Sequence, residues 1–269
     1  MLNLYRLKEL TMFDFCHSLA KLKSLAFILP YFLFWSVFFI YIIDIAVEKI
    51  QSEQGLFIAS YMMNNQELIT NLFIERPATL SIFLIVSTTI TPLFILLAAN
   101  NQYSSDAARG AFRFILTRTT RAELYVSRFI AVTLLVFSCL FITSVWASLL
   151  AYLNGEANLQ ATSIFGLQTF FLLCFYSLPF ITFMSAVSTF TRSAFGCLFT
   201  GLMLYVVILI IGLLLSDELG YSIYLIPSGL KAILIDINFE NALTSIAALS
   251  CYTLVYFFCG WFIFKRRDM

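Results

Sequence analysis

The sequence predicts an all-α polytopic membrane protein with six transmembrane helices and both termini on one side. Three observations carry this. The 269-residue chain is 61% hydrophobic and only 12% charged, about half the roughly 25% charge of a soluble domain, and its mean hydropathy is +0.92. Six apolar runs are each about twenty residues or longer, enough for a hydrocarbon core of about 30 Å. Charge is also sorted by location. With six spans, one side holds four Lys/Arg in the N-terminus, five in the 100–128 stretch, Arg192, and three at the C-terminus, 13 of 16 in all. Ten of the fifteen acidic residues fall on the other side. The positive-inside bias therefore places both termini in the cytoplasm.

Met1 to Lys23 is amphipathic. Leu4, Leu7, Leu10, Phe13 and Phe15 recur at helix-like spacing among Arg6, Lys8, Lys21 and Lys23, which suits a helix in the cytoplasmic headgroup layer; the competing reading is a disordered tail. The first apolar run begins near Ser24, after a polar stretch of more than twenty residues. It is too long for a signal-peptide core and is expected to be an uncleaved span.

The spans fall at about 24–43, 78–99, 129–153, 164–190, 195–215 and 242–264, and form a single domain, 1–269. Pro30 lies in the first turns of span 1; Pro92 and Pro179 lie inside spans 2 and 4, where a proline frees a carbonyl. Asp44 to Pro77 reads as an acidic outer loop with a short helix around Asn65 to Ile74. Asn154-Gly155-Glu156 is a turn signal. Ser216 to Asn241 is too polar for a span and too apolar for water, and fits a re-entrant or interfacial hairpin.

Several functions are disfavoured. Net charge is +1, so no basic footprint points to nucleic acid. Six cysteines without a CxxC, and His17 as the only histidine, argue against a metal site; the cysteines read as buried small hydrophobes. No span, as drawn, carries an ionisable residue in its interior, so a proton relay or intramembrane base has no obvious seat. Ser185 or Ser188 has no His or Lys to activate it. The chain has no GxxxxGK[ST] loop, so energy for any uphill movement must come from a separate ATPase. The chain is not expected to be an enzyme or to bind a cofactor itself. Thirty phenylalanines suit a lipophilic or amphipathic cargo, or simply acyl chains and helix packing.

The stretch from Asn100 to Phe129 is the main break between apolar runs. Asp106 can N-cap a helix from Ala107 to Leu116. Ala108, Ala111, Phe112 and Ile115 make its apolar face, with Arg109 and Arg113 on another. Thr117 to Thr120 breaks this helix. Thr120 and Glu123 then form a capping box that restarts the chain into span 3. The residues alone fit two readings: a rigid lever, or a positive-inside loop that only fixes topology.

The order Asp106, Arg109, Gly110, Phe112, Arg113, Ile115, Leu116, Thr117, Arg118, then Arg121, Glu123 and Leu124, resembles the cytoplasmic loop of type-2 ABC exporter permeases, the ABC-2 family. Lys8-Glu9-Leu10 is similar to that family's N-terminal interfacial helix. Residues 188–193 resemble its short link between spans 4 and 5, and 264–269 its Phe-x-Arg-Arg-Asp-Leu ending. Thr119 stands where the family usually has proline; Ser105 and Ala107 stand where it often has glutamates.

The resemblance implies a coupling helix between spans 2 and 3 that inserts into a groove of a cytoplasmic ATP-binding subunit. Asp106, Arg109, Gly110, Phe112, Arg113, Thr117, Arg118, Arg121 and Glu123 would be the coupling residues. It implies two such subunits, carrying ATP and Mg, a second permease chain as homodimer or related heterodimer, and export across a bacterial plasma membrane (the inner membrane of a Gram-negative cell). Specificity outside the cytoplasm would need an accessory protein, because the outer loops are short. The alternative is a non-transporting scaffold, immunity or assembly protein of the same fold.

Overall fold

The computed structural model describes residues 3–20, 22–52, 72–214, 227–230, 235 and 239–267. The expected hairpin between spans 5 and 6 lies outside these residues, apart from one turn of 3-10 helix at Pro227–Leu230 and Ile235. So does most of the short helix expected around Asn65 to Ile74.

The described regular structure is helical: α1 (Leu4–Ala20), α2 (Leu22–Val37), a π turn (Phe38–Ile42), α3 (Ile43–Gln51), α4 (Ala78–Ala99), α5 (Ser104–Ala108), α6 (Phe112–Ile115), α7 (Arg121–Leu153), α8 (Leu159–Phe190), α9 (Ala194–Leu214) and α10 (Phe239–Arg266). Six helices are long and apolar enough to cross a membrane.

The first span differs from expectation. The helix passes Ile43 and continues through Asp44, Glu48 and Lys49 to Gln51. A charge ends an apolar run but not a helix, and at 1.5 Å per residue 22–51 is about 45 Å long, longer than the hydrocarbon layer. The π turn leaves both Phe38 and Phe39 buried. Trp35 joins them, 4.8 Å from the Phe83 ring, and Phe39 meets Trp146 at 5.5 Å. This aromatic cluster ties the first span to α4 and α7. Tyr31 adds a buried hydroxyl contact to Thr143 at 3.0 Å.

α8 is the centre of the bundle. Of its apolar stretch, 67% is buried, against 12% in α9 and 11% in α10, so those two helices lie at the periphery. α8 remains one helix across Pro179. The Ser177 hydroxyl donates to Cys174 O at 2.8 Å and Thr182 to Pro179 O at 2.9 Å. Such bonds let polar side chains lie in an apolar interior. Small residues allow close packing. A Cβ on Gly260 of α10 would stand 3.0 Å from the Ala186 backbone of α8 and would collide with the Tyr125 hydroxyl.

Of the six cysteines, Cys139, Cys174 and Cys197 are buried as expected. Cys16, Cys251 and Cys259 are exposed on the bundle surface, which corrects the expectation for those three. An exposed position on a helix outside the core needs only an apolar side chain, and thiols meet that need.

The two ends of the bundle differ chemically. At one end Asn154 donates to Asp44 Oδ1 at 3.2 Å. Glu156, in the α7–α8 turn, accepts from Thr79 N at 3.0 Å and from the Thr79 hydroxyl. A carboxylate therefore caps the positive N-terminal end of α4. Asn3, Arg121 and Arg267 meet at the other end.

Candidate functional site

The arginine-bearing segment leaves α4 at Asn100. Tyr103 is its anchor. It is fully buried, stacks on Tyr125 at 5.3 Å, and donates its hydroxyl to Tyr125 O at 2.8 Å. Gly110 then takes φ +66°, a left-handed conformation that glycine adopts without steric penalty. Here the single helix expected from Ala107 to Leu116 is corrected: α5 and α6 are separate short helices on either side of Gly110. Phe112 turns inward against Phe264, ring centres 5.8 Å apart, and Phe264 is itself fully buried. Tyr103, Phe112, Leu124, Tyr125 and Phe264 form a small core of their own.

Asp106 is also not the N-cap it was expected to be. It lies in the first turn of α5, and its carboxylate pairs with Arg128. Arg128 is buried at the start of the third span. Its guanidinium also donates to Gln102 O at 2.6 Å, lies 4.0 Å from Asp14 of α1, and sits over the Phe112 and Tyr103 rings at 5.4 and 5.8 Å. A buried guanidinium needs this many partners. Arg128 is thus a strut joining α1, α5 and α7, although composition alone counts it among the free positive charges of a loop.

The restart of the chain forms as expected. The Thr120 hydroxyl accepts from Glu123 N at 3.2 Å, and Glu123 Oε2 accepts from Thr120 N at 2.9 Å, a complete capping box. The other carboxylate oxygen accepts from Asn3 N at 3.0 Å. At 33 residues, α7 is about 50 Å long, so its first turns project beyond a hydrocarbon layer of about 30 Å. The backbone N–H of Thr120, and then that of Asn3, hold the Glu123 carboxyl below its usual range, against the opposing effect of burial.

Arg121 donates to Lys265 O and to Arg267 O, the latter at 3.3 Å. Arg267 in turn donates to Thr189 O and to Thr191 O, the latter at 3.4 Å. Both cations sit on the negative C-terminal ends of long helices. Burial, and then the neighbouring charge of Arg192, lower the Arg267 pKa. Glu123, Arg121 and Arg267 therefore link, in series, the start of α1, α7, α10 and the end of α8.

The nine residues singled out by sequence divide in two. Phe112 and Glu123 are buried; Asp106, Gly110 and Arg121 are partly buried in this knot. Arg109, Arg113, Thr117 and Arg118 remain exposed. Phe114, which sequence reasoning passed over, stands 79% exposed among them. The Thr117 hydroxyl closes on Phe114 O at 2.7 Å, and Thr119 on Ile115 O at 3.0 Å. The result is a braced platform showing three arginines and one phenylalanine. Tyr103, Asn3 and Arg128 were not recognisable as its supports, since their partners are distant in sequence or on other helices.

This architecture defines a multi-pass helical membrane protein with a braced polar segment between its second and third spans. The chain belongs to the DUF2705 family, described as protein of unknown function, which matches residues 56–269. No curated protein matches it.

Proposed function

We propose that the chain is the membrane-spanning subunit of an ABC-2-type exporter, driven by a separate ATPase at the arginine-rich end. The observation that carries this reading is the division of the 104–123 segment. One side is bolted to α1, α7 and α10 through Arg128, Glu123 and Phe264. The other side presents Arg109, Arg113, Phe114 and Arg118. A force on the exposed side passes to three helices through these contacts. A loop that only fixed topology would need its charges but not this bracing.

In this reading the arginine-rich end and both termini face the cytoplasm, and the membrane is a bacterial plasma membrane. α1 lies along the headgroup layer with Leu4, Tyr5 and Met12 exposed while its other face packs on α7. Two chains pair with two ATP-binding subunits, which hold ATP and Mg. Closure of those subunits moves α5 and α6, and through Arg128 and Glu123 tilts α7 and α1. The cargo is lipophilic or amphipathic, in keeping with apolar spans.

The test is to purify the tagged full chain from its native membrane, identify any co-purifying ATP-binding subunit, reconstitute the pair in vesicles, and measure ATP hydrolysis and its stimulation by amphipathic compounds. A stable complex with stimulated hydrolysis supports the exporter. A complex without stimulated turnover identifies a scaffold of the same fold.

A further inference from the structure

At the opposite end of the bundle, α7 and α8 run antiparallel away from the turn at Gly155 and leave a trench of about 280 Å³ between them. Small residues cut its floor. A Cβ on Gly166 would collide with the Ser148 hydroxyl. Ser148 donates to Ser144 O at 2.8 Å and Ser163 to Leu159 O at 2.7 Å, so both present mainly carbon to the trench. Ser144 lies on the floor with 3% exposure, and its hydroxyl has no partner.

The trench has a closed end and an open end. The Phe141 and Phe170 rings meet edge-on at 5.5 Å and close it. It opens at Tyr152 and Leu159 into a wide polar mouth formed with Gly155, Glu156 and Asn158. From Phe141 to Tyr152 a helix rises about 16 Å, close to half of a hydrocarbon core of about 30 Å. The trench is therefore one leaflet deep, and its mouth is anionic. Glu156 spends one lone pair of each oxygen on Thr79 and keeps others free. Neither Lys49 nor Arg76, the described cations at this end, lines the trench or its mouth. Arg76 sits over Phe165 at 5.4 Å, on the α4 side of α8.

We propose that this trench seats one acyl chain of a phospholipid from the adjacent leaflet, with a primary ammonium headgroup at Glu156 and Asn158. A trench of about 280 Å³ spread over about 16 Å is much narrower than a helix, which is roughly 10 Å across with side chains, and this selects a lipid chain. The charge of the mouth selects the ammonium head. The site stands apart from the arginine-rich platform and does not depend on the transport reading.

Native mass spectrometry of the full chain, with phosphatidylethanolamine or phosphatidylglycerol of the same acyl composition, tests it. One phosphatidylethanolamine should be retained per chain, with at least tenfold lower occupancy by phosphatidylglycerol. Val145→Trp and, independently, Leu167→Trp fill the trench from half-exposed positions and should each lower occupancy tenfold. Leu254→Trp, exposed on α10, should leave it unchanged. Equal retention of both lipids, or unchanged binding in both trench variants when their melting matches the parent, would overturn the proposal.

Discussion

Asp106 and Arg128 pair across 22 residues of sequence, joining the short helix after the second span to the start of the third. The pair is what makes the segment between those spans a strut. Arg128 also has Asp14 of α1 within 4.0 Å, so one cation holds two helices to α7.

Arg128 is buried while Asp106 is partly exposed, so loss of one partner costs less than it does in a fully buried pair, about 3–5 kcal/mol. Asp106→Ala is expected at about 1–2 kcal/mol, because solvent and Asp14 remain near the guanidinium, and Arg128→Ala should cost more, because it also empties a buried site. The double variant should be less destabilised than the sum. Thermal unfolding in detergent, read as a double-mutant cycle, measures this.

Gly110 separates α5 from α6 at φ +66°, and a Cβ added there would meet nothing within 4 Å. Any penalty of substitution is thus backbone strain rather than collision. Gly110→Val should destabilise by about 1–2 kcal/mol, and Gly110→Asn by clearly less, since asparagine tolerates this region. Equal effects in the same unfolding assay would contradict that assignment.

Glu123 makes the N-terminal helix pH-sensitive. Its carboxyl is held below the ordinary value by the N–H groups of Thr120 and Asn3. A depressed folded pKa means the stabilisation is present above the unfolded value of about 4.3 and is lost as pH falls through the lower folded value. Proteolysis of the α1 segment should accelerate below about pH 4. In Glu123→Gln it should already be faster at neutral pH and should lose that acid step.

Much of this was legible in the sequence where the signal is local. The six spans follow from apolar run length. The capping box of Thr120 and Glu123 follows from a spacing of three residues. Boundaries set by hydropathy were short at Ile43, because a helix outlasts its apolar stretch when Asp44 and Glu48 can reach water. The supports of the platform were not legible. Tyr103 bonds Tyr125, Asn3 bonds Glu123, and Arg121 bonds the carbonyls of Lys265 and Arg267. These contacts depend on how separate helices pack, which no local pattern encodes. The same holds for Asp106, whose helix-capping signal is overridden by a buried arginine.

The exposed residues of the platform should behave oppositely to its supports. Phe114→Ala removes a side chain that touches solvent and should change thermal stability by no more than about 0.5 kcal/mol. Its effect should fall on partner binding, as expected of an aromatic anchor ringed by arginines. Pull-down of the proposed ATP-binding subunit at matched expression reads this directly.

Charge reversal on that same face separates the proposed exporter from a topology-fixing loop. Arg113→Glu and Arg118→Glu, each purified from native membranes beside the parent, should melt like the parent and lose co-purification of the proposed ATP-binding subunit by at least tenfold. Retention of the ATPase at parental levels by both folded variants would contradict the platform as the point where the partner engages.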